Sequence, residues 1–177
     1  MTKHVVEIFQ EIVDATKTVV LPVLQTTDPN ITTLHYEHGH YSEIDATLRS
    51  FDKSESFYNK KYPLIAVFED IAETVKEGYN EAKLTIIICF SSNSEDRSGD
   101  RYQKVINPIL EPVYKELLRQ IRLSGYFMEY NVRHTKIVRP YWGVQGEYGN
   151  RANVFSDFLD AIEMRDVRLR VYPQSEC

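Results

Sequence analysis

The sequence predicts an α+β fold in which a mostly antiparallel sheet is packed by a long amphipathic helix and an N-terminal helix. Two stretches carry this expectation. Lys83 to Phe90 (KLTIIICF) sets Leu84, Ile86, Ile88 and Phe90 on one face of a strand and Thr85, Ile87 and Cys89 on the other. Both faces are largely apolar, so the strand is central. Further on, Val105, Ile109, Val113, Leu117 and Ile121 recur every four positions, widened by Ile106, Leu110 and Leu118, while Glu111, Lys115, Glu116, Arg119 and Arg122 take the other side. This is an amphipathic helix whose apolar face covers the strand just before it.

The other elements follow in chain order. Val5, Val6, Ile8, Phe9, Ile12, Val13 and Ala15 are spaced as on a helix, predicted from Lys3 to about Val19 and ended before Pro22. Thr26 to Asn30 is a turn, since Asp-Pro favours turn initiation. Ile31 to Glu37 is β-branched and aromatic and reads as a strand broken by Gly39. Ser42 as N-cap, with Asp45 three residues on, opens a short helix from about Glu43 to Phe51. After a polar connection, Asp52 to Lys61, Pro63 opens a strand over Leu64 to Glu69 that pairs antiparallel with Lys83 to Ser91. The segment between them is too long for a tight turn and is expected to project as a loop with Gly78 and Asn80 near its tip.

Ser91 to Asp100 is a polar loop. Pro108 and Pro112 then imply a long helix that starts near Asp100, bends at the prolines and ends at Ser124-Gly125. Tyr130 to Arg139 reads as a strand, Pro140 to Asn150 as an aromatic, glycine-rich loop. In the last strand Ile162 and Met164 share one parity and Val167, Leu169 and Val171 the other. A bulge or tight turn near Arg165-Asp166 would reconcile them.

The 177 residues suit one domain with one core. The longest apolar runs fall far short of the roughly 20 residues that span a bilayer, and acidic residues interrupt the apolar positions of the N-terminus, unlike a signal peptide. A reducing cytoplasm is the expected compartment. Two cysteines, Cys89 and Cys177, exclude a disulfide framework or a zinc cluster of the usual kind. The net charge of -5 argues against a protein that coats nucleic acid. That charge is uneven: residues 1–100 hold 9 Lys and Arg against 17 Asp and Glu, and residues 101–177 hold 12 against 9.

Chemistry-bearing motifs are sparse. His35, His38 and His40 invite a metal, but on a strand His35 points away from the other two, and no metal is expected there. The carboxylates Glu69-Asp70, Glu95-Asp96 and Asp157 with Asp160 are expected to diverge rather than to converge as an acid-base pair. There is no Gly-x-Ser-x-Gly elbow and no glycine-rich phosphate loop. Arg119, Arg122, Arg133, Lys136 and Arg139 are candidates for one basic surface. No catalytic residue, cofactor or metal ligand is assigned.

The order of elements carries more. An N-terminal helix leads to Tyr36-Glu37-His38-Gly39, a short helix with Glu43-Ile44 and Leu48, and Lys61-Tyr62-Pro63-Leu64-Ile65. A second strand, Arg101-Tyr102, Ile109-Leu110-Glu111-Pro112-Val113-Tyr114 and the closing Asp157 to Glu163 follow. The chain thereby resembles a group of proteins encoded in the structural gene blocks of tailed bacteriophages of gut bacteria. It is also similar to tail terminator and tail completion proteins, which form rings between head and tail. Its connection over residues 52–61 and loop over residues 140–156 are longer than a minimal tail terminator needs.

The resemblance implies a virion protein made in the host cytoplasm. It would be a non-enzymatic, homo-oligomeric ring subunit of the head-to-tail neck or upper tail, in a connector or tail terminator role, twelvefold or sixfold. Its partners would be its own copies and neighbouring portal, connector or tail proteins, with non-specific DNA contact in the lumen and no membrane. The interface expected on this basis uses Tyr79, Asp96, Arg97, Tyr141, Trp142 and Tyr148. The competing expectation is a small enzyme or ligand-binding domain built on the His35 to His40 corner or the Trp142 loop.

Overall fold

A computed structural model of the protein describes residues 3–52, 60–68, 71–128, 131–142 and 157–172. Helix α1 (Val5–Thr27) leads to strand β1 (His35–Gly39) and helix α2 (Tyr41–Phe51). Strands β2 (Leu64–Phe68), β3 (Ala72–Lys76) and β4 (Tyr79–Ser91) follow. A long helical stretch runs through α3 (Ser98–Arg101), a widened π-type segment (Tyr102–Leu110) and α4 (Glu111–Leu123). Strands β5 (Arg133–Trp142) and β6 (Leu159–Val171) complete one mixed sheet of order β1-β2-β4-β6-β5, with β3 also paired to β4. Among the described residues only β1 and β2 run parallel. The α+β architecture with a mostly antiparallel sheet is therefore the observed one.

β4 is central, and its two faces are buried by different partners. On one face Leu84, Ile86 and Ile88 pack with Ile8, Phe9 and Ile12 of α1 and with Ile109, Val113 and Leu117 of the long helix. On the other, Ile87 and Cys89 pack with Ile44 and Leu48 of α2, Leu64 and Ala66 of β2, and Leu159 and Ala161 of β6. The bulge expected near Arg165-Asp166 is present. The β4 to β6 register slips between Leu84 and Ile86, which face Val167 and Met164, and Asp166 adopts φ 55°. Both parities of the last strand thereby reach the helix-covered face.

Several boundaries differ from expectation, each for a physical reason. α1 does not stop before Pro22 but continues to Thr27. Pro22 and Thr18, whose carbonyl loses its helical donor, both lie on the exposed side, while Val20 and Leu24 beyond the expected end are buried. Water can satisfy the orphaned carbonyl there, and core burial carries the helix past the proline. Ile31 and Leu34 are core residues of an extended connector, and pairing starts only at His35, where the chain comes beside β2. His40, not Ser42, caps α2: its ring accepts from Ser42 N–H, and the Glu43 carboxylate accepts from His40 N–H.

The segment expected to be a loop between β2 and β4 is a hairpin. β3 pairs with the outer end of β4 and closes at Glu77-Gly78, with Gly78 at φ 85° supplying the conformation that glycine adopts without strain. Asn80 therefore lies in β4 rather than at a tip. The bend expected at the prolines takes the form of wider turns, in which Glu111 N–H donates to Ile106 O, five residues back. A stripe repeating every four residues outruns the 3.6 of an α-helix, and wider turns hold it on the core. β5 starts three residues later than expected and includes Pro140, Tyr141 and Trp142, which were assigned to a loop. Proline is tolerated because β5 is an edge strand.

Leu117 is fully buried between α1 and the sheet. Leu117→Ala is expected to cost about 2 to 5 kcal/mol in urea unfolding. A loss below about 1 kcal/mol would be incompatible with this packing.

Candidate functional site

At the end of β4 the loop over residues 92–97 is held by one buried arginine. Arg101, 1% exposed, donates from Nε to Asp96 O (3.0 Å), from Nη1 to Ser92 Oγ (2.8 Å) and to Asp160 Oδ1 (2.7 Å), and from Nη2 to Asn93 O (2.6 Å). Its guanidinium carbon lies 3.7 Å from the centre of the Tyr141 ring. Asp160 is fully buried; its Oδ1 also accepts from Tyr141 N–H, and its Oδ2 has no partner among the described residues. Burial opposes the charge on Arg101, but the hydrogen bond and attraction to Asp160 outweigh it and move its pKa up. The guanidinium is spent on the protein itself, so this node shapes a surface and does not offer a cation to an anionic ligand.

A second node lies beside it. Lys61 Nζ, also 1% exposed, meets Asp52 at 2.5 Å and Asp157 at 3.0 Å, and Tyr62 Oη donates to Asp157 Oδ2 at 2.8 Å. Burial pulls the Lys61 pKa down, but hydrogen bonds to the two carboxylates reverse it and the net direction is up. Burial first, and then the negative charges nearby, push the Tyr62 hydroxyl up. Lys61, Tyr62 and Asp157, with Asp28, Asn30 and Ser91, line a cleft of about 370 Å³. A shallower depression of about 660 Å³ continues from Ser91 and Ser92 past Asp96 and Lys104 to Pro108. The Ser92 hydroxyl is taken by Arg101. Among the described residues the clefts show no activated nucleophile, and the two carboxylates that converge, Asp52 and Asp157, do so on Lys61.

The residues expected from the sequence to face a partner fall into two groups. Asp96, Arg97 and Tyr141 gather at the Arg101 end. Asp96 pairs with Lys104 at 2.6 Å, Arg97 stands before α3 with its N–H on Asp100, and Tyr141 Oη donates to Ser94 O and Asp96 O. Trp142 is at the same end but packs on Phe68 and the α2-side core, so it is a half-buried residue rather than a free-standing anchor. Tyr148 lies outside the described residues. Tyr79 opens β4 at the hairpin end, flanked by Lys76 and Arg170 at 5.4 and 5.6 Å. Twelve residue steps of β4 separate Tyr79 from Ser91, roughly 40 Å of strand.

Other candidates disperse. His35 bonds Glu37 and sets its ring on Phe51, His38 lies by Tyr36, and His40 caps α2. Among the described residues no three His, Cys, Asp or Glu groups are placed to hold a metal ion. Asp157 and Asp160 serve Lys61 and Arg101 respectively; Glu69 and Asp70 lie outside the described residues. The basic positions do not form one surface. Lys136 reaches Glu111 on the helix side of the sheet, Arg139 reaches Glu163 on the other, and Arg119 is held by Glu116. Arg101, Lys61 and their aspartates escaped the sequence reading because neither cation stands near its carboxylates along the chain. The only signal was the late pair Asp157 and Asp160 itself.

No protein-family model matches the chain, and no curated protein matches it.

Removing one partner of a buried pair strands the other charge. Arg101→Ala is therefore expected to cost about 3 to 5 kcal/mol, whereas the joint replacement Arg101→Met with Asp160→Leu should recover most of it in the same urea titration. A second expectation concerns pH. Lys61 and Tyr62 both hold their protons more tightly folded than unfolded, so their contribution to stability is fully present below about pH 10, the ordinary range of both groups, and is lost as pH rises through it. Tyr62→Phe should make that fall shallower.

Proposed function

We propose that the protein is a structural subunit of a tailed-bacteriophage virion, assembling head to tail into a ring at the neck or upper tail in a connector or tail terminator role. The observation that carries this is the placement of the partner-facing residues at opposite ends of the central strand. A ring of one repeated chain uses heterologous contacts, so each subunit needs two different surfaces. The hairpin end, with β3 exposed along its whole length, supplies one. The Arg101 end supplies the other, with Asp96 and Arg97 presented by a loop that the buried network stiffens and Tyr141 by the end of β5.

The charge division of the sequence supports the same reading. Strands from the acidic first part, β1, β2, β3 and β4, occupy one side of the sheet, and β6 and β5 from the basic part occupy the other. Opposite signs then guide one subunit onto the next, and aromatic residues hold the contact. In this reading the protein works in the virion beside portal, connector or tail proteins, as a twelvefold or sixfold ring whose lumen passes DNA.

Sedimentation of the purified protein and images of it mixed with its neck partners test this. The expected outcome is a closed ring with Tyr79 of one subunit and Tyr141 of another at subunit contacts. A monomer under both conditions, with both ends in solvent, would overturn it.

A further inference from the structure

β3 is a strand that buries nothing at home. All five of its residues are exposed, and Val75, at 78%, is the most exposed large apolar side chain among the described residues. On one side β3 pairs with β4; among the described residues no strand lies on its other side. Lys76 and Tyr79 flank the two-residue turn. Such flanking residues close a hairpin as a hydrogen-bonded pair, and pairs alternate from there. Glu73 and Val75 therefore turn their N–H and C=O groups toward the open side. An unpaired, exposed strand of this kind is a template for another strand.

The sheet has a second open edge of different character. β5 is ten residues long, twice the length of β3, and among the described residues it pairs only with β6. It carries Arg133, Lys136 and Arg139, whereas the β3 hairpin over residues 72–83 carries Glu73, Glu77 and Glu81 against Lys76 and Lys83. Lys136 and Arg139 already meet Glu111 and Glu163 in their own chain, and Arg133 has no ion pair among the described residues. Two β5 edges side by side would align cations with cations, and two β3 edges would align glutamates. The signs oppose both self-pairings and favour the unlike one.

We propose that β3 of one copy adds as a strand to the β5 edge of the next copy, so that the sheet continues from subunit to subunit. This rests on the ring reading above and specifies its contact. Main-chain hydrogen bonds provide the attachment, with Val75 as the apolar anchor and Glu73 opposite the Arg133 region as the charge contact. Because the two edges differ, the association is heterologous and propagates until the ring closes.

Hydrogen exchange of the assembled and dissociated protein, read by mass spectrometry, tests this together with variants. Peptides covering 72–76 and 133–139 are expected to gain protection on assembly. Val75→Pro, which deletes an outward N–H, is expected to abolish assembly while leaving the unfolding midpoint unchanged, since β3 contributes nothing to the core. Glu73→Lys and Arg133→Glu should each weaken association roughly fivefold and restore it together. Rings in which both segments exchange as fast as in the monomer overturn this contact and leave the ring reading standing, as do rings formed by folded Val75→Pro. A wild-type chain that stays monomeric alone and with its neck partners overturns both. Should Val75→Pro lower the unfolding midpoint, the exchange result on the wild-type protein decides.

Discussion

A strand that is apolar on both faces has to be covered twice, and β4 imposes that demand on the whole chain. Its Leu84, Ile86 and Ile88 require one apolar layer and its Ile87 and Cys89 another. α1 and the long helix satisfy the first. The second falls to the smaller α2, with Tyr62, β2 and β6 closing around it. Cys89 is fully buried in this second layer, and burial pushes its thiol pKa far up, so it behaves as a small apolar side chain rather than as a nucleophile. The remaining elements are arranged by what β4 leaves uncovered. Its outer end, beyond the reach of β2, is paired by β3, and its other flank is paired along nearly its full length by β6.

Burial explains the middle of β4 but not its C-terminal end, where the chain turns polar. There the structure relies on Arg101 and Lys61, two cations removed from water and fully engaged by carboxylates and carbonyls. Buried pairs of this type add little net stability, because desolvation offsets most of the attraction. Their effect is to select one arrangement. Any displacement of the loop over residues 92–97 would leave the guanidinium without the carbonyls of Asn93 and Asp96, and a shift of Tyr141 would remove both a donor to Asp160 and a ring from over the guanidinium. The loop over residues 92–97 is thereby given the rigidity of a core.

The hairpin end has the opposite character. Among the described residues β3 has no apolar cover, no buried side chain and one unpaired edge, so its formation there depends on pairing with β4. A stiffened surface at one end and a projecting strand at the other are the two features on which the proposed self-association rests. In the contact proposed between copies, the charge difference between β3 and β5 would set the direction, because unlike edges attract and like edges repel.

The sequence by itself determined the elements whose evidence is local and periodic. The two apolar parities of β4, the four-residue stripe from Val105 to Ile121 and the parity change at Arg165-Asp166 each report which side of the backbone must be dry, and all three recur in the structure. The residues expected to face a partner were legible only as types, aromatic or charged positions in polar segments. Only the tertiary structure decided that Tyr79 stands at the far end of the sheet from Asp96 and Tyr141, that Trp142 is packed inward on Phe68, and that α1 continues through Pro22. It alone brought Arg101 to Asp160 and Lys61 to Asp157 across 59 and 96 residues of chain. The physical reason is range: periodicity is written into neighbouring residues by the geometry of the backbone, whereas a buried ion pair or an open edge exists only once distant segments have been brought together by the burial of everything around them.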